Sequence, residues 1–506
     1  MGGEAKPGTG RGIKSWAQRH LNAGFAAGFL LVLLTYLVVS QQFAVTAPNA
    51  VATKGSRIAD KKQVIGGAGD AEVEKKREQE WQPETAEEEE PDKKDASGAV
   101  PTEESPKRDD ADAKPLETDK VVCNTDGPVS ETCDLDGDVR VNGSALSVTF
   151  VPSSPSERRE WRIRPYSRRT MTGVDRVTVT RLGSPQDPAA AAAAAAACAV
   201  THDAPAVLFA LGGLTGNYWH DFSDVLVPLF AASRRYGGEV LFLVSNIQPW
   251  WLGKYEAVVR RLSRYDAVDL DRDSQVRCFR HLTVGLRLHK ELSIVPELAP
   301  GGHRLTMADF TAFLRETYAL PRAAPLSLRQ FPDRKPRLLL IHRAHYRRFE
   351  NVPEIRKAAE AAGFEVTVAS PRADAPLEET ARAVNSHDVL LGVHGAGLTN
   401  AVFLPPGAVV IQVVPYGNLE RMARTDFGEP VADMGLRYLE YSVAAEESTL
   451  LGMLGPDHPV IKDPEAVHRS GWDKVAEYYL GKQDVRIDVN RFAPTLAQAI
   501  DHLRQR

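Results

Sequence analysis

The chain has 506 residues, a formal net charge of −5 and a pI near 6.3. That length exceeds what one hydrophobic core organises and implies two or three packed units. The charge balance supplies no polycation that could grip nucleic acid by counterion release, so no nucleic-acid partner is assigned.

In chain order, residues 1–22 carry Arg11, Lys14 and Arg19 and read as a cytosolic tail. Residues 23–39, AGFAAGFLLVLLTYLVV, hold no charge and have about the length that crosses a thin bilayer as a helix. The far flank has no cation until Lys54, which predicts a signal anchor with the rest of the chain lumenal. A cleaved signal peptide would be shorter, and Pro48 would follow the cut at Val45-Thr46-Ala47. Residues 40–120 are rich in Glu, Lys, Asp, Pro and Ala, and are expected to form a disordered stem.

Cys123, Cys133, Cys198 and Cys278 all follow the stem, and an even count suits a lumenal address. Two disulfides allow three pairings; sequence proximity favours Cys123 with Cys133 and Cys198 with Cys278. No CxxC suggests zinc. Asn142-Gly143-Ser144 is a glycosylation sequon.

The segment 121–325 alternates buried-strand runs, PAVLFAL and EVLFLVS, with helical spacing over Tyr218–Phe230 and Lys254–Leu262, which predicts a parallel sheet. Ala189–Ala197 reads as an inserted surface loop. The segment 326–470 repeats the rhythm with RLLLIHR, FEVTVA, DVLLGV and AVVIQVVP as strands buried on both faces, the pattern of a doubly wound sheet. Residues 471–506 are expected to form a C-terminal helical segment.

Chemistry gathers at strand ends. His394-Gly395-Ala396-Gly397 joins a buried strand to a short helix, where small residues and unpaired N–H groups suit an anion such as a diphosphate. Arg343 ends the first strand of the same half, where a guanidinium can clamp phosphate oxygens. In the first half His220 and Asp224 are four apart on one helix face and could take a proton from a hydroxyl, with Asp221 in reserve. Asn217 opens that helix, and Trp250 and Trp251 follow another strand end, where indoles could stack on sugar rings. Asp269-Leu270-Asp271-Arg272-Asp273 has the form of a DxD metal site but lies in the half without the HGAG turn, and no metal is assigned.

The blocks CDLDGDVRVNG, GNYWHDFSDVLVPLF, GVHGAGLTNAVFLPPGAVVIQVVP, MGLRYLEYSVAAEESTL and DHPVIKDPEAVHRSGWDKVAEYYLGKQDV resemble plant members of glycosyltransferase family 61, and most closely the grass group that decorates xylan with arabinofuranose or xylose. The resemblance runs from Cys123 to the C-terminus. It implies a GT-B fold of two Rossmann-like domains facing a cleft, inverting chemistry, a UDP-sugar donor, a xylan or oligosaccharide acceptor, no required metal or cofactor, and a Golgi membrane address with a place in an enzyme complex. By resemblance Asn217, His220 and Asp224 match one family block, His394, Gly395, Ala396 and Gly397 a second, Arg343 the strand-end arginine, and Glu446, Glu447 and Ser448 a block that reaches the nucleotide. One departure bears on donor contacts: His342-Arg343 stands where relatives carry Ser-Arg, followed by AHYRRFEN. The expected mechanism makes Asp224 the base, oriented by His220. The competing expectations are N-acetylglucosamine or xylose transfer to a glycoprotein glycan, or a non-catalytic subunit of a synthase complex.

Overall fold

The computed structural model describes residues 119–183, 197–302, 304–370 and 375–506. The expected tail, anchor and stem up to residue 118, and Ala189–Ala196 of the alanine run, lie outside them. Among the described residues no helix is long and apolar enough to cross a membrane.

A ten-stranded mixed sheet comes first. Strands β1 (Lys120–Asn124), β2 (Thr132–Asn142), β3 (Ser147–Val151), β4 (Arg159–Ile163) and β5 (Val177–Arg181) precede β6 (Val200–His202), β7 (Ala206–Ala210), β8 (Leu241–Ser245), β9 (Val268–Asp269) and β10 (Val276–Val284). The order is β4-β5-β3-β2-β10-β7-β8-β9, with β1 beside β2 and β6 beside β10. Strands β6 to β10 pair with one another in parallel; β2 joins β10 antiparallel, and β1 to β5 pair antiparallel except for the parallel pair β3 and β5. The parallel pairing expected of the alternating stretch holds for β7, β8 and β10, and the strands before it add an antiparallel part that corrects a purely Rossmann-like first half. The reason lies in β2 and β3, where buried and part-exposed residues alternate, the mark of strands with one solvated face. Disulfides Cys123–Cys133 and Cys198–Cys278 fasten β1 to β2 and the approach to β6 to β10. Asn142, at the end of β2, turns its Oδ1 to Ser144 Oγ and Ala145 N.

The second sheet is parallel throughout: β11 (Arg337–Ile341), β12 (Glu365–Ala369), β13 (Val389–Val393), β14 (Val409–Val414) and β15 (Arg437–Ser442), ordered β12-β11-β13-β14-β15. Both faces are covered, as the continuous apolar runs predicted. Leu338 and Leu340 join a core with helices α1 (Val352–Ala362) and α2 (Val489–Arg504), while Leu339 and Ile341 face the opposite core. That opposite core continues into the first half, where Phe222 meets Phe403 edge to face at 6.1 Å between centroids. The two halves therefore share one apolar interior. Tyr218 Oη to Asn400 Oδ1 at 3.0 Å and Lys290 to Asp433 at 2.9 Å tie them further.

Strand order reverses between β11 and β13, and in the parallel part of the first sheet between β7 and β10. Crevices beyond the carboxyl ends of such strands are where open α/β sheets hold ligands. Arg343 follows β11, His394 follows β13, His220 follows β7 and Glu291 follows β10.

Candidate active site

The path out of β7 is tight. Gly213 has φ +67°, and a Cβ there would come within 2.7 Å of Met171. Asn217 then caps the short helix Tyr218–His220 by accepting from Trp219 N at 3.1 Å. The helix widens into a π-turn, Asp221–Leu226, a feature that recurs at functional sites. All six residues of that turn are buried, and its two carboxylates take separate sets of partners.

Asp221 accepts from Gly216 N at 2.8 Å, Trp251 Nε1 at 2.9 Å and Tyr255 Oη at 2.8 Å. Burial raises its pKa despite these bonds. With no exposed surface, Asp221 pins the loop instead of facing solvent. Trp251 is fully buried as well and offers no face for stacking, whereas Trp250 is 51% exposed.

Asp224 is held by Arg168 through Nε to Oδ2 and Nη2 to Oδ1, both at 2.8 Å, by Tyr166 Oη at 2.8 Å and by His220 Nδ1 at 2.9 Å. Burial alone would raise its pKa, yet the hydrogen bonds from His220 and Arg168 outweigh it and hold the carboxylate below its ordinary range. Asp224 has no exposed surface. His220 is 19% exposed in its side chain, and its Nε2 makes no hydrogen bond among the described residues. Arg168 also pairs with Glu291, at 3.0 and 2.6 Å. Its segment is fixed to the end of β7 by Ala210 N donating to Pro165 O at 2.8 Å.

Across from this group, two guanidiniums converge on the HGAG turn. Gly395 has φ +138°, and a Cβ there would lie 2.8 Å from Arg343 Nη1 and 2.9 Å from Arg347 Nη1, so only glycine fits. Arg347 donates to His394 O at 2.9 Å, while its Nε is buried without a partner among the described residues. Burial and the neighbouring Arg343 push Arg347 down to about 9, and burial lowers Arg343. Neither arginine forms a salt bridge among the described residues. The 3-10 helix Ala396–Phe403 begins here, its first amides lacking intrahelical partners.

The arginine loop is tightly sewn. Arg347 N donates to Gln483 O at 2.6 Å and Glu350 N to Val485 O at 2.8 Å. Tyr346 and Arg347 both adopt positive φ, +49° and +56°, at a cost of roughly 1–2 kcal/mol each. Ser448 lies behind this loop, donating to Gln483 Oε1 at 3.0 Å. Glu447 is engaged by Tyr441, Arg491 and the amides of Ala444 and Asp488, so neither it nor Ser448 has a group to spare for a nucleotide. Glu446 is exposed.

His394 is buried, and burial together with Arg347 and Arg343 lowers its pKa to about 3, leaving it neutral. Gln412 Nε2 lies 2.7 Å from its Nδ1, which directs Nε2 toward Asp426 Oδ2 at 3.8 Å. Asp426 sits in a second π-turn, Arg424–Gly428. Burial and repulsion from Glu291 raise it to about 7, partly offset by Arg168 and His220. It links the two groups: the His220 cluster on one side, the HGAG turn on the other.

Sequence reading missed Arg168, Glu291, Arg347 and Asp426. Arg347 had a visible signal in the basic run after β11, but that run gives no hint of which guanidinium turns inward. In the Asp269–Asp273 segment, Asp269 caps Asp271 N, Asp271 accepts from Asn246 N at 2.7 Å, and Asp273 pairs with Arg277 at 2.6 Å. No cluster of three or more metal-ligating side chains occurs among the described residues.

A family model, Glycosyltransferase 61, matches residues 218–411, a span that contains His220, Asp224, Arg343, Arg347 and His394. The chain is 43% identical over 396 residues to Beta-1,2-xylosyltransferase XYXT1 of Oryza sativa subsp. japonica, covering 74% of this chain and 83% of that protein. It is 42% identical over 389 residues to Alpha-1,3-arabinosyltransferase XAT3 of the same organism, covering 76% and 66%. It is 32% identical over 395 residues to Xylan glycosyltransferase MUCI21 of Arabidopsis thaliana, covering 75% and 79%.

Proposed function

This chain belongs to glycosyltransferase family 61, and from that premise we propose that it moves a pentose, xylose or arabinofuranose, from a UDP-sugar onto xylan by a single inverting displacement. The observation that carries the reading is the pair Arg343 and Arg347, two half-buried guanidiniums without carboxylate partners among the described residues, aimed at a glycine turn that opens a helix. A diphosphate there receives charge-assisted hydrogen bonds and main-chain amides. These groups offset the charge that develops on the departing UDP, so we read the reaction as needing no bound metal or other cofactor.

For the acceptor, the geometry favours His220 over Asp224 as the group that takes the proton. Asp224 is fully buried and held anionic by Arg168, which suits it to accept from His220 Nδ1 and leave Nε2 as the free lone pair. As the xylan hydroxyl oxygen attacks the anomeric carbon, its proton passes to His220 Nε2 and the bond to UDP breaks on the opposite face. Asp426, with neutral His394 behind it, lines the space between the two groups.

The remaining parts of the reading follow from pattern. A GT-B arrangement is supported by two strand-end crevices, one in each half, which contribute to a single charged cluster. A single-pass type II membrane anchor is supported by the uncharged run 23–39 behind a basic tail, and the Golgi address and a place in a synthase complex rest on the family alone.

Incubating the full-length protein with UDP-xylose, UDP-arabinofuranose and UDP-N-acetylglucosamine, each with xylo-oligosaccharides or a glycoprotein glycan, tests the function. A pentosylated xylo-oligosaccharide of inverted configuration is expected. Transfer of N-acetylglucosamine to the glycan alone, or no transfer from any donor, would overturn it.

A further inference from the structure

A groove of about 490 Å³ lies between the helix pair Pro249–Lys254 and Glu256–Leu262 of the first half and the helix Leu377–Asn385 of the second. Trp250, Lys254, Glu256, Tyr318, Leu377 and Glu378 form its wall. It is separate from the guanidinium pair and from His220, and the chemistry proposed above makes no use of it.

Four features mark it as built for a ligand. Trp250 is 51% exposed, yet its ring is fixed: Nε1 donates to Gln248 Oε1 at 3.2 Å, and a Cβ on Gly216 would touch its Cη2 at 3.4 Å. An indole held this way keeps a face free at little entropic loss. Tyr318 is 5% exposed, and its hydroxyl is buried with no hydrogen-bond partner among the described residues, a costly state that a ligand hydroxyl would relieve. Lys254 makes no salt bridge among the described residues; its Nζ rests 4.9 Å from the Tyr218 ring centroid and 5.3 Å from that of Tyr255. The rim carboxylates are each met by an arginine on their own helix, Glu256 by Arg260 and Glu378 by Arg382, both at 2.8 Å.

The rim therefore carries hydrogen-bonding groups with little net charge. With both carboxylates paired, the one uncompensated charge among the described wall residues is Lys254, a single cation that repels a polycation and is too little to hold a polyanion. A neutral chain of sugar rings satisfies both limits: ring faces lie on the indole while hydroxyls reach Lys254, the carboxylates and the tyrosine. Packing links the groove wall to the reaction centre. The Trp250 ring lies against the space that a side chain at Gly216 would occupy, and Lys254 lies over Tyr218, two residues before His220.

We propose that this groove is a second carbohydrate subsite, which grips a neutral segment of the xylan acceptor remote from the point of transfer; the substrate class rests on the function proposed above. Such a subsite makes the enzyme favour long acceptors, because the second contact becomes intramolecular once the first is made.

Two readouts on the full-length protein test it. In gels cast with soluble xylan, the wild-type protein is retarded; Trp250→Ala weakens that retardation about fivefold and Tyr318→Phe, which removes only the hydroxyl, about twofold. In transfer assays the ratio of kcat/KM for long xylan fragments over xylotriose falls by similar factors, while UDP affinity stays at the wild-type value. Wild-type retardation and ratio in folded Trp250→Ala and Tyr318→Phe overturn the subsite, as does a loss of UDP affinity in place of a change in ratio. Failure of the wild type to transfer pentose to any xylo-oligosaccharide counts against the function above, and xylan retardation then decides the subsite alone.

Discussion

At the scale of single residues, the account turns on which group is free to act. The i,i+4 spacing of His220 and Asp224 was legible in the sequence, and the pair meets at 2.9 Å. Their division of labour was not legible, because it depends on Arg168 and Tyr166, more than fifty residues away in the chain. With Asp224 locked, His220→Gln should lower kcat by roughly 10²–10⁴-fold with UDP-sugar KM little changed. Asp224→Asn should also lose turnover while thermal melting confirms that it folds. Steady-state kinetics decide the matter, and a His220→Gln enzyme with near-normal kcat removes histidine from the proton path. Asp426 sets a pH dependence. Its folded pKa is about 7 against an ordinary 3.8, so the folded state binds the extra proton between those values. Its favourable contribution to stability is complete below about 4 and is lost as pH rises through about 7. The anion formed above that pH lies beside the diphosphate turn and opposes the donor. Donor KM should rise roughly three- to tenfold between pH 6 and 8 in the wild type and stay flat in Asp426→Asn. An equal rise in both proteins would exclude Asp426 as the cause.

At the scale of elements, the second sheet was readable from its continuous apolar runs, since strands buried on both faces need no polar alternation. The five strands of the first ~65 described residues were not recognised, because short half-exposed stretches such as SVTFV carry a weak signal between turns. The π-turns were also beyond reach: DFSDVL and RTDFG look like ordinary helix, yet the wider turns bring Asp224 and Asp426 to the centre of the site. The HGAG turn was the sharpest readable feature, and its second residue is held to glycine by a φ of +138°. Gly395→Ala places a methyl within 3 Å of two guanidinium nitrogens at a backbone angle that disfavours any side chain. Donor affinity should fall by about 10–100-fold, the equivalent of losing roughly 1.5–3 kcal/mol of charged hydrogen bonding. Calorimetry with UDP measures this directly, and unchanged affinity would show that the nucleotide binds elsewhere.

At the scale of the whole molecule, two sheets share one apolar interior and bring two strand-end crevices together around Asp426. Alternation of strand and helix announced both halves; the shared core could not be read, since Phe222 and Phe403 are each ordinary core residues until the halves meet. The long-range disulfide Cys198–Cys278 closes a separation of 80 residues, for which chain entropy gives roughly 4–5 kcal/mol. Cys198→Ser with Cys278→Ser should lower the melting temperature clearly in differential scanning calorimetry, and an unchanged melt would show that the pair adds nothing to stability. The central claim, that a diphosphate docks between Arg343, Arg347 and the Gly395 turn, is tested most directly by comparing UDP with UMP. Wild-type protein should bind UDP at least about tenfold more tightly than UMP, with or without chelator, and Arg347→Ala should erase most of that difference while leaving UMP affinity in place. A preference for UDP that survives intact in Arg347→Ala, or that vanishes with chelator, would contradict the account.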